Sequence, residues 1–190
     1  MTPIAGFIVV RRENPYSSRA LYNPCYRGIC RIPTWPSDDS RENALLEQYV
    51  FELRNDSGVI EREDVARHLA SELEKVSGRG FEVLACAEIQ DQQTQNSVKW
   101  PLLGYDVAGR DAAFWSITLD FPFTQATEPF HHLLNRHGLF NNRLDASQFL
   151  NVCRQFNLMD TQRIPYAVFQ IELASGNSDD SEVKRNPLKS

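Results

Sequence analysis

Apolar and polar residues alternate along the chain in two rhythms, one of period two and one of period 3.6. The first run, AGFIVVRR over residues 5–12, is short, apolar and rich in β-branched residues, which predicts a strand. ENPYSSRALYNPCYRG follows as a loop, because its two Asn-Pro steps bar helix there. ICRIPTW alternates over a few residues and is stopped by Pro33, so it predicts a short edge strand. From Arg41 to Leu53 the apolar positions Leu45, Leu46, Tyr49, Val50 and Leu53 share one helical face, with Ser40 or Asp39 as cap. A second helix is predicted over 62–77 on the stripe Val65, Leu69, Leu73 and Val76, closed by Gly78 or Gly80.

FEVLACAEI over 81–89 is nearly all apolar on one side and reads as a central strand. QDQQTQNSVK has nothing to pack and reads as an exposed, mobile loop. WPLLGYDVAG predicts a short strand with a Gly-flanked turn, and AFWSITLDFPF a strand or irregular aromatic segment. EPFHHLLNRHGLF predicts a short helix started by Pro129 and ended at Gly138. Asp145 is placed to cap a helix whose apolar positions are Ala146, Phe149, Leu150, Cys153 and Phe156. IPYAVFQIEL, 164–173, predicts a strand, and 176–190 a disordered polar tail. These elements amount to one α+β or α/β domain over 1–175. A mixed or antiparallel sheet of about 4–6 strands packs with about 3–4 helices.

Composition narrows the function classes. The chain has 190 residues and a net charge of −5. An acidic balance argues against nucleic acid as partner, since phosphate contacts need a basic patch, and it suits a partner with a basic surface. No run approaches the ~20 apolar residues that span a bilayer. The apolar run at the start has no basic residue before it and no cleavage site after it, so a cytoplasmic location is expected.

Candidate chemistry is sparse. Cys25 and Cys30 are too loosely spaced for a zinc pair, and Cys86 and Cys153 stand alone, which predicts buried thiols. His131 and His132 lie on different sides of a helix, while His132 and His137 are five apart rather than four. No metal and no cofactor are therefore expected. Asp106 and Asp120 are a possible carboxylate pair, although Asp106 is expected to bond turn backbone. Neither a phosphate loop nor a nucleophile elbow is present. An enzyme drawing on these His and Asp residues is the alternative to a protein that binds without reacting.

The pattern L-L-G-Y-D-V at 102–107 is followed by an aromatic-Ser segment at Trp115–Ser116 and by L-N-x-x-G-L-F at 134–140. Over residues 100–156 this resembles immunity proteins of bacterial polymorphic toxin systems. The resemblance implies a small cytoplasmic protein that neutralises one cognate toxin by stoichiometric binding and catalyses nothing. Contacts with that toxin are expected from two places. One is the acidic helical surface of Glu61, Glu63, Asp64, Glu72 and Glu74, which otherwise reads as a solvated face. The other is the aromatic stretch with Trp100, Trp115 and Phe123.

Overall fold

In the computed structural model, residues 5–11, 30–31, 39–49, 59–89, 99–109, 124–135, 137–158 and 165–175 are described. The chain runs β1 (Ala5–Arg11), β2 (Cys30–Arg31), α1 (Ser40–Gln48), α2 (Glu63–Ser77), β3 (Phe81–Glu88) and β4 (Leu102–Gly109). It continues through α3 (Glu128–His131), α4 (Arg143–Gln155) and β5 (Tyr166–Ser175). The strands form one sheet in the order β2-β1-β3-β5-β4, and every described pairing is antiparallel. The architecture is α+β. The strand predicted as central, β3, is third of five, and the short strand at Cys30 does lie at the sheet edge.

Alternation along each strand sends side chains to two faces. Phe7, Val9, Phe81, Val83 and Ala85 share one face with Tyr105, Val107, Tyr166 and Val168. Both main helical layers lie on that face. α1 and α2 cover its β1–β3 half, where Leu46, Ala66, Leu69, Ala70 and Leu73 meet Val9, Phe81 and Val83. α4 covers the β4–β5 half, where Ala146, Phe149, Leu150 and Cys153 meet Tyr105, Val107, Tyr166 and Val168. The opposite face carries Ile8, Val10, Leu84, Cys86, Ala108, Phe169 and Ile171, all buried, with Val59 and Leu139 packed against them. Two antiparallel bridges widen the sheet, Phe7 to Ile60 beside β1 and Tyr105 to Phe140 beside β4.

Several local expectations are corrected by this packing. The buried stripe of α2 is Ala66, Leu69, Ala70 and Leu73, one position round from the stripe through Val65 and Val76. Small alanines let the helix sit close to the strands, and the larger Val65 packs at the margin. Asp39, not Ser40, caps α1, and this helix turns at Tyr49; Val50 and Leu53 lie outside the described residues. The cap of α4 is Asn142, whose side chain accepts from the Asp145 amide at 2.9 Å. Asp145 is therefore inside the first turn, where a carboxylate favours the helix dipole. Phe156 lies beyond the last turn of α4 and is 55% exposed rather than part of its apolar stripe. The helix at Pro129 is a four-residue turn, α3, well short of Gly138.

Candidate partner-binding surface

Two of the short patterns singled out in the sequence, at 102–107 and 134–140, meet each other in space. Leu134 and Phe140 bridge across a tight turn, and Phe140 in turn bridges Tyr105 of β4. Asn135 holds this turn together. Its side-chain oxygen accepts from the His137 amide at 2.8 Å and the Leu139 amide at 3.3 Å, while its NH2 donates to the Leu103 carbonyl at 2.8 Å. Gly138 takes the left-handed conformation that the turn requires, at φ 72°. Gly104 faces the same turn: a Cβ there would stand 2.7 Å from the Phe140 oxygen and 2.8 Å from the Leu139 Cβ. Leu139 and Phe140 are fully buried, and Phe140 stacks against Phe149 and edge-on to Phe130. These residues knit the edge of the sheet to the turn that feeds α4.

Asp106, expected at a turn, is mid-strand in β4 and fully buried on the face away from the helices. One of its oxygens accepts from the Val107 amide at 2.7 Å. Its supposed partner Asp120 lies outside the described residues. The rings of His131 and His132 touch edge to face at 5.8 Å between centroids. Among the described residues no group of three His, Cys, Asp or Glu side chains is placed to share a metal ion. Cys86 and Cys153 are buried thiols outside any disulfide; burial pushes Cys86 up to about 12 and Cys153 up to about 11. Cys25 lies outside the described residues, as do Trp115, Phe123 and the tail 176–190.

The acidic helix is more nearly neutral than its acid count implies. Asp64 is held by the Arg62 guanidinium. Glu72 is held by Lys75 at 2.6 Å, and Glu63 by Arg67 at 2.8 Å and Lys99 at 3.2 Å. Hydrogen bonds from Arg67, Arg62 and Lys75 keep the Glu63, Asp64 and Glu72 carboxyls below their usual range. Glu61 and Glu74 are exposed and make no ion pair among the described residues.

One of these pairs joins the two candidate surfaces. The Lys99 ammonium that meets Glu63 also lies over the Trp100 ring, 4.1 Å from its centroid. Phe7 packs edge-on to the same ring at 5.7 Å. The backbone beneath is fixed by Glu172 of β5. One of its carboxylate oxygens accepts from the Trp100 amide at 3.0 Å and the Lys99 amide at 3.2 Å, while Gln170 donates to the other. Gln170 and Glu172 are buried on the helical face, along the β3–β5 seam between α2 and α4, opposite the small side chains of Ala87 and Ala85. Arg67 adds a bond to the Ala174 carbonyl, tying α2 to the same strand.

The structure therefore brings Glu63 and Trp100 together through Lys99, leaves Asp64, Glu72 and Glu74 spread along α2, and places Glu61 just before the helix. Sequence reasoning missed Lys99, Arg67 and Glu172. The polar pair Gln170 and Glu172, two apart in an otherwise apolar strand, was the available signal that something polar lies over β5. Comparison with protein-family models, curated proteins and solved structures returns no match. No helix among the described residues is long and apolar enough to cross a membrane.

Proposed function

We propose that this chain is an immunity-type protein that binds one cognate bacterial toxin in a stoichiometric complex in the cytoplasm and catalyses no reaction. The observation that supports the reading is the junction at Lys99, where an acidic helix and a half-buried tryptophan form one surface. A tryptophan beside a polar, charged margin fits the pattern of an interface, in which aromatic anchors sit within a polar rim. Glu74 of the helix and Glu61 just before it pair with nothing described, so they are available to steer a basic partner. A toxin acting on nucleic acid would present such a basic site, since it must hold phosphates.

The test is co-expression with the product of the adjacent upstream gene. The expected result is a complex of fixed stoichiometry by size-exclusion chromatography with light scattering, together with rescue of growth. A toxic gene product that neither co-migrates with this chain nor loses toxicity in its presence removes the reading.

A further inference from the structure

We propose that Glu63 and Trp100 form a receptor for a basic side chain of the partner, and that Lys99 fills it in the free protein. This rests on the reading of the chain as a protein-binding module. An aromatic face with a carboxylate at its edge is a receptor for an organic cation, because the ring quadrupole and the anion both attract positive charge. Here the cation is already in place: one ammonium contacts Glu63 at 3.2 Å and the Trp100 face at 4.1 Å.

Three features make Lys99 a replaceable occupant. Its side chain is 67% exposed, so its contacts are of the weak, solvent-screened kind. Its backbone amide is held by Glu172, so the ammonium can swing out on its four-carbon stem without moving the chain. The receptor keeps its shape when the ammonium leaves: Arg67 fixes the other oxygen of Glu63 at 2.8 Å, and Phe7 packs near-perpendicular to the Trp100 ring. A guanidinium is the better incoming group, because it stacks flat on indole and is less strongly hydrated than an ammonium. The occupant is thus an Arg on a basic protein surface, which suits a chain carrying a net charge of −5.

The probe is N-acetyl-arginine methylamide, titrated while the assigned indole N–H signal of Trp100 is followed by NMR. In Lys99→Met, which removes the charge that holds the side chain on Glu63 and the ring and leaves a thioether the probe can displace, the probe is expected to bind about threefold to tenfold more tightly than in the unaltered protein. Adding Glu63→Gln to Lys99→Met is expected to abolish the gain. Equal or weaker binding in Lys99→Met overturns the proposal. So does an N-acetyl-glutamate methylamide probe that moves the Trp100 signal in the unaltered protein and loses that effect in Lys99→Met, since Lys99 would then be serving an anion. Chemical shifts elsewhere in β1, β3 and β5 report whether each variant is folded. Because the probe is a small molecule, the receptor can fail while a toxin complex still forms, and can stand where none does.

Discussion

Asn135 donates its side-chain amide to the Leu103 carbonyl at 2.8 Å, and the same side chain's oxygen receives the His137 and Leu139 amides. One residue thereby satisfies three backbone groups and fixes the position of the turn against β4. Asn135→Ala removes all three bonds at a half-buried site. A loss of about 1–3 kcal/mol is expected, or about 2–4 °C in Tm for each kcal/mol. Asn135→Asp keeps the acceptor but sets an anion against the Leu103 oxygen. It is expected to be no more stable than Asn135→Ala at pH 7 and to gain stability as the pH drops toward 4. Chemical denaturation of the two variants at both pH values checks this, and equal pH dependence would contradict it.

Gly104 sits at φ 147°, and an added Cβ would press on backbone and side chain of the facing turn at 2.7–2.8 Å. Neither contact is the loose end of a flexible side chain. Gly104→Ala is expected to cost about 2–4 kcal/mol through strain and overpacking. Hydrogen exchange is expected to rise first at the Tyr105 and Phe140 amides, which pair across this junction at 2.9 and 2.8 Å. A variant with unaltered stability would show that the turn yields freely.

The two buried thiols set a limit at high pH. Cys86 and Cys153 ionise near 9.0 in an unfolded chain but only near 12 and 11 in the fold. Above pH 9 the unfolded state therefore holds fewer protons than the folded one, and stability falls as pH rises through that window. In a variant carrying Cys25→Ser and Cys30→Ser, thiolate absorbance at 240 nm is expected to rise near pH 9 in urea and only around pH 11 to 12 without it. Titration near pH 9 in the folded protein would mean the thiols are open to water.

The ion pairs of α2 set a limit at low pH. Glu63, Asp64 and Glu72 bind protons less readily in the fold than their ordinary values of 4.5, 3.8 and 4.5. Their contribution is complete above about pH 4.5 and is lost as the pH falls through the lower folded values. All three pairs are solvent-exposed, so the effect is small and screened by salt. Urea midpoints between pH 6 and pH 3 are expected to fall less steeply in Glu63→Gln/Glu72→Gln than in the unaltered protein. Adding 0.5 M NaCl is expected to narrow that difference; identical slopes would show that the pairs contribute nothing.

Charge reversal separates steering from structure. Glu61→Lys/Glu74→Lys alters acids that pair with nothing described, so folding is expected to change by less than about 0.5 kcal/mol each. If the proposed toxin is the partner, its association is expected to slow and to lose salt dependence. Stopped-flow on-rates at low and high salt decide it, and unchanged rates would take the acidic helix out of the encounter.

The strands were readable because β1, β3 and β5 are apolar runs bounded by turn residues, and the helices because α2 and α4 carry periodic stripes. The cap of α4 was misread because Asn142 and Asp145 are both good cap residues, and only the backbone conformation, extended at Asn142, decides between them. α3 stopped short because Leu134 is drawn into a bridge with Phe140, a long-range demand that local propensity does not register. The candidate surface was half visible. Acidic residues and tryptophans stand out in a sequence, but the cations that neutralise Glu63 come from one turn along the helix and from Lys99, 36 residues away. The motif residues at 102–107 and 134–140 turned out to bind each other, as short patterns built of Gly, Asn and aromatics often do.

The order β2-β1-β3-β5-β4 places β5 between two strands made long before it. During synthesis, β3 and β4 emerge as edges with no neighbour on the side that β5 will fill, and they stay so until the chain has been extended through residue 175. The apolar groups that β5 brings, Phe169 and Ile171 foremost, join the core only then. Folding of the nascent sheet is therefore gated by the arrival of β5. A stalled or truncated product ending before Tyr166 carries two open, apolar strand edges, the form of this protein most exposed to aggregation and to proteases.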